Sequence, residues 1–253
     1  MAAPSMDVAN LDACNVPEYV QAMEDYAAMR GLTPAEQTLF ERHVPMGSEV
    51  LDMGVGTGRT VPGLLQRASR YVGIDYAPMM IERGRELFPD VDLRVLSAAD
   101  LSDFADASFD VVLFIANGLD SMSPDAHAAC LRESARVLRP GGTFLISRHN
   151  ARGVASSIDP SMVPEGPLPL RAQLRTAMAT AWRKRRIIAT RAFWSGEGQI
   201  DDPPFVFRVA SRRATIADVV PYGFEHVDAL SCLHPRPSVS LNTAWYFFAF
   251  RRT

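Results

Sequence analysis

The sequence predicts an α/β fold: an open sheet of mostly parallel strands with helices on both faces. Three observations predict it. Short apolar segments alternate with helical stretches from Glu49 to Ser147. The first apolar segment runs straight into a turn holding three glycines. The fourth, Phe109 to Ile115, is a continuous apolar run, as expected of a strand covered on both faces.

Taken in order, Val16 to His43 reads as helical. Thr33-Pro34 inside it has the form of an N-cap followed by proline at the first helical position, and Leu39 and Phe40 supply a buried face. Glu49 to Met53 is the first strand, followed by a helix through Leu64, Leu65 and Arg67. Tyr71 to Ile74, ending at Asp75, is the second strand, and Pro78 to Leu87 the next helix. Val91 to Leu96 is the third strand and Phe109 to Ile115 the fourth. Ser123-Pro124 starts a helix through Cys130, Leu131, Val137 and Leu138, and Pro140-Gly141-Gly142 is read as its stop. Thr143 to Ser147 is the fifth strand. The alternation breaks after Asn150. Asp159 to Leu170 holds four prolines and reads as loop, followed by a helix at Arg171 to Arg185 and extended segments at Ile187 to Trp194 and Phe205 to Val209. Thr215 to Val220 reads as a short helix, and Phe224 to Leu230 and Ala244 to Phe250 as strands.

Composition excludes several classes. Hydrophobic residues make up 47% and charged residues 22%, ordinary for a globular protein. A net charge of -3 and a pI near 6.0 argue against bulk nucleic acid or an anionic membrane as partner. No apolar stretch is long enough to span a membrane, and Met1 to Asn10 lacks the order of a signal peptide, so a cytoplasmic setting is expected. The three cysteines, Cys14, Cys130 and Cys232, have neither metal-ligand nor redox spacing, and the histidines are scattered, so no metal site is expected.

The chemistry concentrates in Val50 to Arg59. Glycines at 54, 56 and 58 let the backbone turn sharply and let a ligand approach it. In open α/β sheets such a loop lines the cofactor crevice. A dinucleotide site wants G-x-G-x-x-G; here the pattern is G-x-G-x-G with Arg at 59. Asp52, just before the loop, repels a pyrophosphate but suits a cofactor with an ammonium and a sulfonium. Asp75, ending the second strand, can accept hydrogen bonds from a ribose diol of either cofactor.

Val50 to Arg59 resembles motif I of the class I S-adenosylmethionine-dependent methyltransferases, and Gly73 to Met80 is similar to the family's next motif. The resemblance runs in order from Glu49 to Ser147 and includes Phe109 to Val112 and Val137 to Gly142. It implies a Rossmann-like, doubly wound seven-stranded sheet with a C-terminal antiparallel strand and an insertion after strand five. It also implies S-adenosyl-L-methionine as cofactor. Asp75 would hold the ribose, Tyr76 and Met80 would flank the adenine, and Asp100 and Leu101 would meet the adenine edge, with Ser97 and Ala98 in their place under a shifted alignment. Asp52, Gly54, Gly56, Gly58 and Asn117 complete the expected cofactor contacts.

Acceptor residues belong on the loops after strands four and five, Asn117 to Asp120 and Arg148 to Asn150. Asp/Asn-Pro-Pro-aromatic and Pro-Cys patterns are absent there, which argues against the exocyclic or amide nitrogens of nucleic acid and glutamine, and against cytosine C5. His149 is the candidate base or acceptor-orienting residue, with a structural strand-end histidine as the alternative, and Asp120 is the second candidate, or a solvated loop acid. His127, His226 and His234 carry less weight. Tyr19 and Tyr26 in the N-terminal helix either close the site or pack on the sheet. The expected organisation is one domain: a helical cap at 1–45, a cofactor-binding core at 46–150, an insertion over the acceptor site at 151–211, and a C-terminal helix and strands at 212–253. The leading function is methyl transfer to O or N of a small molecule. An RNA or protein methyltransferase reading its target through Arg183 to Arg186 is the first alternative, and a non-catalytic cofactor-binding module the second. An NAD-dependent oxidoreductase is disfavoured by the glycine spacing.

Overall fold

A computed structural model describes residues 10–12, 14–153, 195–202, 205–240 and 243–253. The proline-rich loop, the helix at Arg171 to Arg185, the segment Ile187 to Trp194 and the basic run at Arg183 to Arg186 lie outside the described residues.

The N-terminal helical stretch is two helices, α1 (Pro17–Arg30) and α2 (Pro34–His43). Pro34 has no N–H to continue a helix, so it opens a new one. Thr33 Oγ1 accepts from Glu36 N at 3.3 Å and Glu36 Oε2 accepts from Thr33 N at 2.8 Å, a reciprocal cap that satisfies two end donors. Strands β1 (Ser48–Met53), β2 (Ala68–Asp75), β3 (Asp92–Val95), β4 (Phe109–Phe114) and β5 (Leu138–His149) alternate with α3 (Val61–Leu65), α4 (Pro78–Leu87) and α5 (Pro124–Val137). The hairpin β6 (Glu197–Asp202) and β7 (Phe205–Ala210) follows, then α6 (Arg212–Val219), β8 (Phe224–Ser231) and β9 (Trp245–Arg252).

Seven strands form one sheet in the order β3-β2-β1-β4-β5-β9-β8. Pairs among β1 to β5 are parallel, and β9 runs antiparallel to both β5 and β8. Successive residues of the central strands serve opposite faces. Val112 and Phe114 join one buried cluster with Leu51 and Met53; Val111, Leu113 and Ile115 join the other with Val50. That is why these strands read as unbroken apolar runs.

The helix before β5 is not stopped by the proline. It ends at Val137, and Leu138 is already extended. Pro140-Gly141-Gly142 sits inside the span of β5, where the register against β4 jumps from Phe109↔Leu138 to Val111↔Thr143. The triplet absorbs an irregularity in the ladder, a place where Gly and Pro are tolerated.

The chain order reverses at β1, which has β2 on one side and β4 on the other. The loops leaving β1 and β4 therefore diverge and open a crevice at the carboxyl edge of the sheet, where ligands of such sheets bind. The β6–β7 hairpin packs on β5 and on the 3-10 turn Gly118–Ser121, beside that edge. Among the described residues no helix is long and apolar enough to cross a membrane.

Candidate active site

The crevice holds a cavity of about 400 Å³, within the roughly 300–1,000 Å³ usual for small-ligand sites. Its floor is the glycine loop. Gly54 and Gly56 have φ of +67° and +56°, which L side chains rarely adopt. A Cβ on Gly54 would stand 2.6 Å from the Phe114 ring, while the space over Gly56 is open. The loop thus presents bare backbone to the cavity.

Asp75 lines the cavity from the end of β2. Its Oδ2 accepts from Gly56 N at 2.9 Å and its Oδ1 from Ala77 N at 2.9 Å, so it braces the loop and keeps lone pairs for a ligand. Burial pushes its carboxyl above the usual range, and the backbone N–H groups of Ala77, Gly56 and Tyr76 pull it back. Tyr76 and Met80 continue the wall, joined by Leu96, Ser97 and Ala98 from the end of β3.

The structure brings Gly54, Gly56, Asp75, Tyr76 and Met80 together and redirects other candidates. Asp100 is not among the lining residues. It is exposed, and its Oδ1 accepts from Ser102 N at 3.1 Å in a turn. Leu101 is fully buried in the core, with its N–H donating to Glu133 Oε2 at 3.1 Å. Ser97 and Ala98 occupy the lining instead, because they follow β3 directly, as Asp75 ends β2. Asp52 also turns away from the cavity. Fully buried, its Oδ2 accepts from Thr60 Oγ1 at 2.6 Å and Tyr71 OH at 2.8 Å, tying the helix after the loop to β2. Gly58 faces Phe88, which a Cβ would meet at 2.6 Å.

Burial lifts the Asp52 carboxyl to about 6, against the two hydroxyl donors and Arg59. Between about 4 and 6 the folded state then holds a proton that the unfolded chain has lost, so stability falls as pH rises through that window. Asp52→Asn is expected to remove a pH-dependent loss on the order of 2–3 kcal/mol between those limits. Urea melts of both proteins from pH 4 to 7 check it; parallel curves would place the titration elsewhere.

Sequence reasoning did not single out Cys14 and Met23, which line the cavity beside Tyr19. The N-terminal segment is pinned there by Asn10 Nδ2 to Ser121 O at 2.8 Å, Met79 N to Asn15 Oδ1 at 3.1 Å, and a two-pronged Arg83–Glu24 ion pair. Tyr19 thus lies over the site; the side chain of Tyr26 lies outside the description. Arg59, which breaks the dinucleotide pattern, forks onto Glu36 at 2.8 and 2.6 Å and ties the loop to α2.

On the β4 side, Ala116 and Asn117 both have positive φ, 59° and 61°. Two consecutive non-glycine residues in this region store strain of the kind that collects at functional sites. Ala116 and Gly118 line the cavity, and Asn117 sits between them. Asn117 Oδ1 is buried without a hydrogen-bond partner, while its Nδ2 stands 3.3 Å from His149 Nε2. A buried acceptor left unpaired costs about 1–3 kcal/mol, so it suits a ligand that brings a donor.

Asp120 is fully buried, not a solvated loop acid. Its Oδ2 accepts from His149 N at 2.6 Å and lies 3.0 Å from His149 Nδ1; its Oδ1 accepts from Arg148 Nε at 2.7 Å. Burial raises its carboxyl, but the Arg148 guanidinium and His149 outweigh that and hold it below the usual range. Phe207 of β7 lies against the His149 ring, with centroids 4.7 Å apart and the rings tilted by 31°. The arrangement is that of an imidazole oriented by a carboxylate, with Nε2 turned toward the cavity loop.

Residues 50–142 match the methyltransferase domain family, a span that holds the glycine loop, Asp75, Asn117 and Asp120. Residues 50–142 thus carry a methyltransferase domain, and the chain is similar to S-adenosylmethionine-dependent methyltransferases. Among similar curated proteins, the phosphatidylethanolamine N-methyltransferase of Cereibacter sphaeroides is 39% identical over 112 residues, covering 42% of this chain and 53% of that protein. The trans-aconitate 2-methyltransferase of an Azoarcus species is 34% identical over 153 residues, covering 59% of this chain and 57% of that protein. The matches span about half the length of these relatives. A solved structure of the same fold is the Burkholderia thailandensis 1,6-didemethyltoxoflavin-N1-methyltransferase with 1,6-didemethyltoxoflavin and S-adenosylhomocysteine bound. It has a TM-score of 0.63 and 19% identity, over 100% of this chain and 92% of that one. The methyltransferase domain thus accounts for the sheet order and for the place of the crevice.

Proposed function

We propose that this methyltransferase carries the methyl group of S-adenosylmethionine to an O or N atom of a small-molecule acceptor, with His149 as general base. The observation that carries the reading is the placement of the Asp120–His149 pair against Asn117, in the loop whose Ala116 and Gly118 line the cavity.

The lining fits the cofactor. Asp75 would take the ribose diol; Tyr76, Met80, Leu96 and Ala98 would enclose the adenine; the bare backbone at Gly54 and Gly56 would admit the chain; and Asn117 Oδ1, buried without a partner between the lining residues Ala116 and Gly118, would accept from the ammonium. Bound S-adenosylmethionine supplies a methyl group activated by a sulfonium. The protein's own work is then to hold the acceptor, exclude water and take the acceptor's proton on His149 Nε2, while Asp120 keeps the Nδ1 proton in place. Relatives named for demethylmenaquinone, ubiquinone biosynthesis and trans-aconitate support a small acceptor. Phe207 against His149 supports an acceptor with an apolar or planar face.

Calorimetry is expected to show S-adenosylhomocysteine binding and no NAD binding. NAD binding alone would overturn the cofactor assignment. A panel of small hydroxylated and amine acceptors, assayed for S-adenosylhomocysteine release beside bulk RNA and protein, tests the acceptor class; turnover confined to RNA or protein would replace it.

A further inference from the structure

Three groups touch the His149 side chain, and they do different work. Asp120 Oδ2 lies 3.0 Å from Nδ1, Asn117 Nδ2 stands 3.3 Å from Nε2, and the Phe207 ring lies against the imidazole, with planes 31° apart. Asp120 is itself held from behind. Arg148, 2% exposed, reaches Asp120 Oδ1 and Asp218 Oδ2, both at 2.7 Å, and Asp218 Oδ2 lies 2.8 Å from His127 Nε2. The carboxylate end of the pair is therefore fixed by three elements, α5, α6 and β5.

The ring end is fixed differently. Hydrogen bonds at the edge of a ring hold it in its own plane but resist a swing out of that plane poorly, and χ2 of histidine is a broad torsion. The edge contact to Asn117 is also long. A flat group packed on the ring stops the swing. Phe207 is such a group, and its strand is anchored. Val209, two residues on and so on the same face of β7, is buried, as is Ala210, whose carbonyl oxygen accepts from Ala151 N at 3.4 Å. Strand β7 packs on β5 and on the 3-10 turn that carries Asp120. Both His149 and Phe207 lie beyond residues 50–142, the span that matches the methyltransferase domain.

We propose that Phe207 is a positioning residue: packed on the His149 ring, it fixes the direction in which Nε2 points, so that the β6–β7 hairpin completes a base that the matched domain does not contain. The inference rests on reading His149 as the base.

The contact is tested first, without any acceptor. In histidine-labelled protein the ring C–H signals of His149, assigned through His149→Ala, are expected to move in Phe207→Leu as the ring current is lost, while those of His127 stay. Unmoved His149 signals would overturn the proposal. Turnover of the acceptor found by the panel above tests the role. Phe207→Ala is expected to lower kcat roughly 10–100-fold, since a misplacement on the order of 1 Å costs up to about 10²-fold. KM and S-adenosylhomocysteine affinity should stay near wild type, and Phe207→Tyr, which keeps the ring, should restore most of kcat. In a His149→Ala background Phe207→Ala should add no further loss. A raised KM with unchanged kcat would make Phe207 an acceptor contact, and an equal loss in the His149→Ala background would show that it does not act through His149; either overturns the proposal. If Phe207→Ala does not fold, Phe207→Leu, which keeps apolar bulk but not the flat ring, takes its place in the same cycle. Full turnover in His149→Ala would remove the base reading and this proposal with it, whereas impaired His149→Ala beside wild-type kcat in Phe207→Leu would overturn this proposal alone.

Discussion

Asp75→Ala is expected to cost 10²–10⁴-fold in S-adenosylhomocysteine affinity. A ribose diol on the Asp75 carboxylate would make two charge-assisted hydrogen bonds, each worth about 1.5–3 kcal/mol, and about 1.4 kcal/mol is tenfold in affinity. The same carboxylate accepts from Gly56 N and Ala77 N, so its removal also frees two loop donors. Asp75→Asn separates the two effects, because it keeps a carbonyl for one backbone donor while losing the charge. Calorimetry on both variants, with melting curves to show that they fold, reads the loss. Wild-type affinity in folded Asp75→Ala would place the ribose elsewhere.

His149→Ala is expected to lower kcat by roughly 10²–10⁴-fold, the usual contribution of a general base, with S-adenosylhomocysteine affinity near wild type. The split matters. His149 is not among the residues lining the cofactor cavity; it reaches that wall through Asn117. A base acts on the acceptor's proton, so the pH–rate profile should also lose its acid limb. A smaller loss that does not vary with pH would make His149 an orienting residue. Full turnover in the folded variant would leave proximity alone as the source of rate.

Much of the fold was legible because it rests on local chemistry. The N-cap at Thr33 and the proline after it need only four neighbouring residues, and the capping box forms from them. Ser123 caps α5 in the same way, its side chain accepting from Ala126 N. The apolar run at Phe109 to Ile115 announced a strand buried on both faces. Boundaries were harder. The Pro-Gly-Gly triplet reads as a helix stop from sequence alone, but its place inside β5 follows from the register of a strand more than twenty residues away.

The site divides along the same line. By itself the sequence determined the glycine loop, because positive φ at 54 and 56 demands glycine, and it determined Asp75, because a strand end after the first crossover must reach the crevice. It also named His149 and Asp120, each from its place after a strand. Tertiary structure alone decided where the other acids point. Asp52 and Asp100 are both acids beside strand ends, yet one is sealed under Tyr71 and Thr60 and the other faces solvent. Only the fold could join His127, Arg148 and Asp218 to the Asp120–His149 pair, since His127 and Asp218 are 91 positions apart. Helix and strand periods reveal which face of an element is buried, but they carry nothing about which charge on another element arrives opposite. That pairing depends on crossovers and packing, and burial makes it binding, because a charge removed from water must meet a partner.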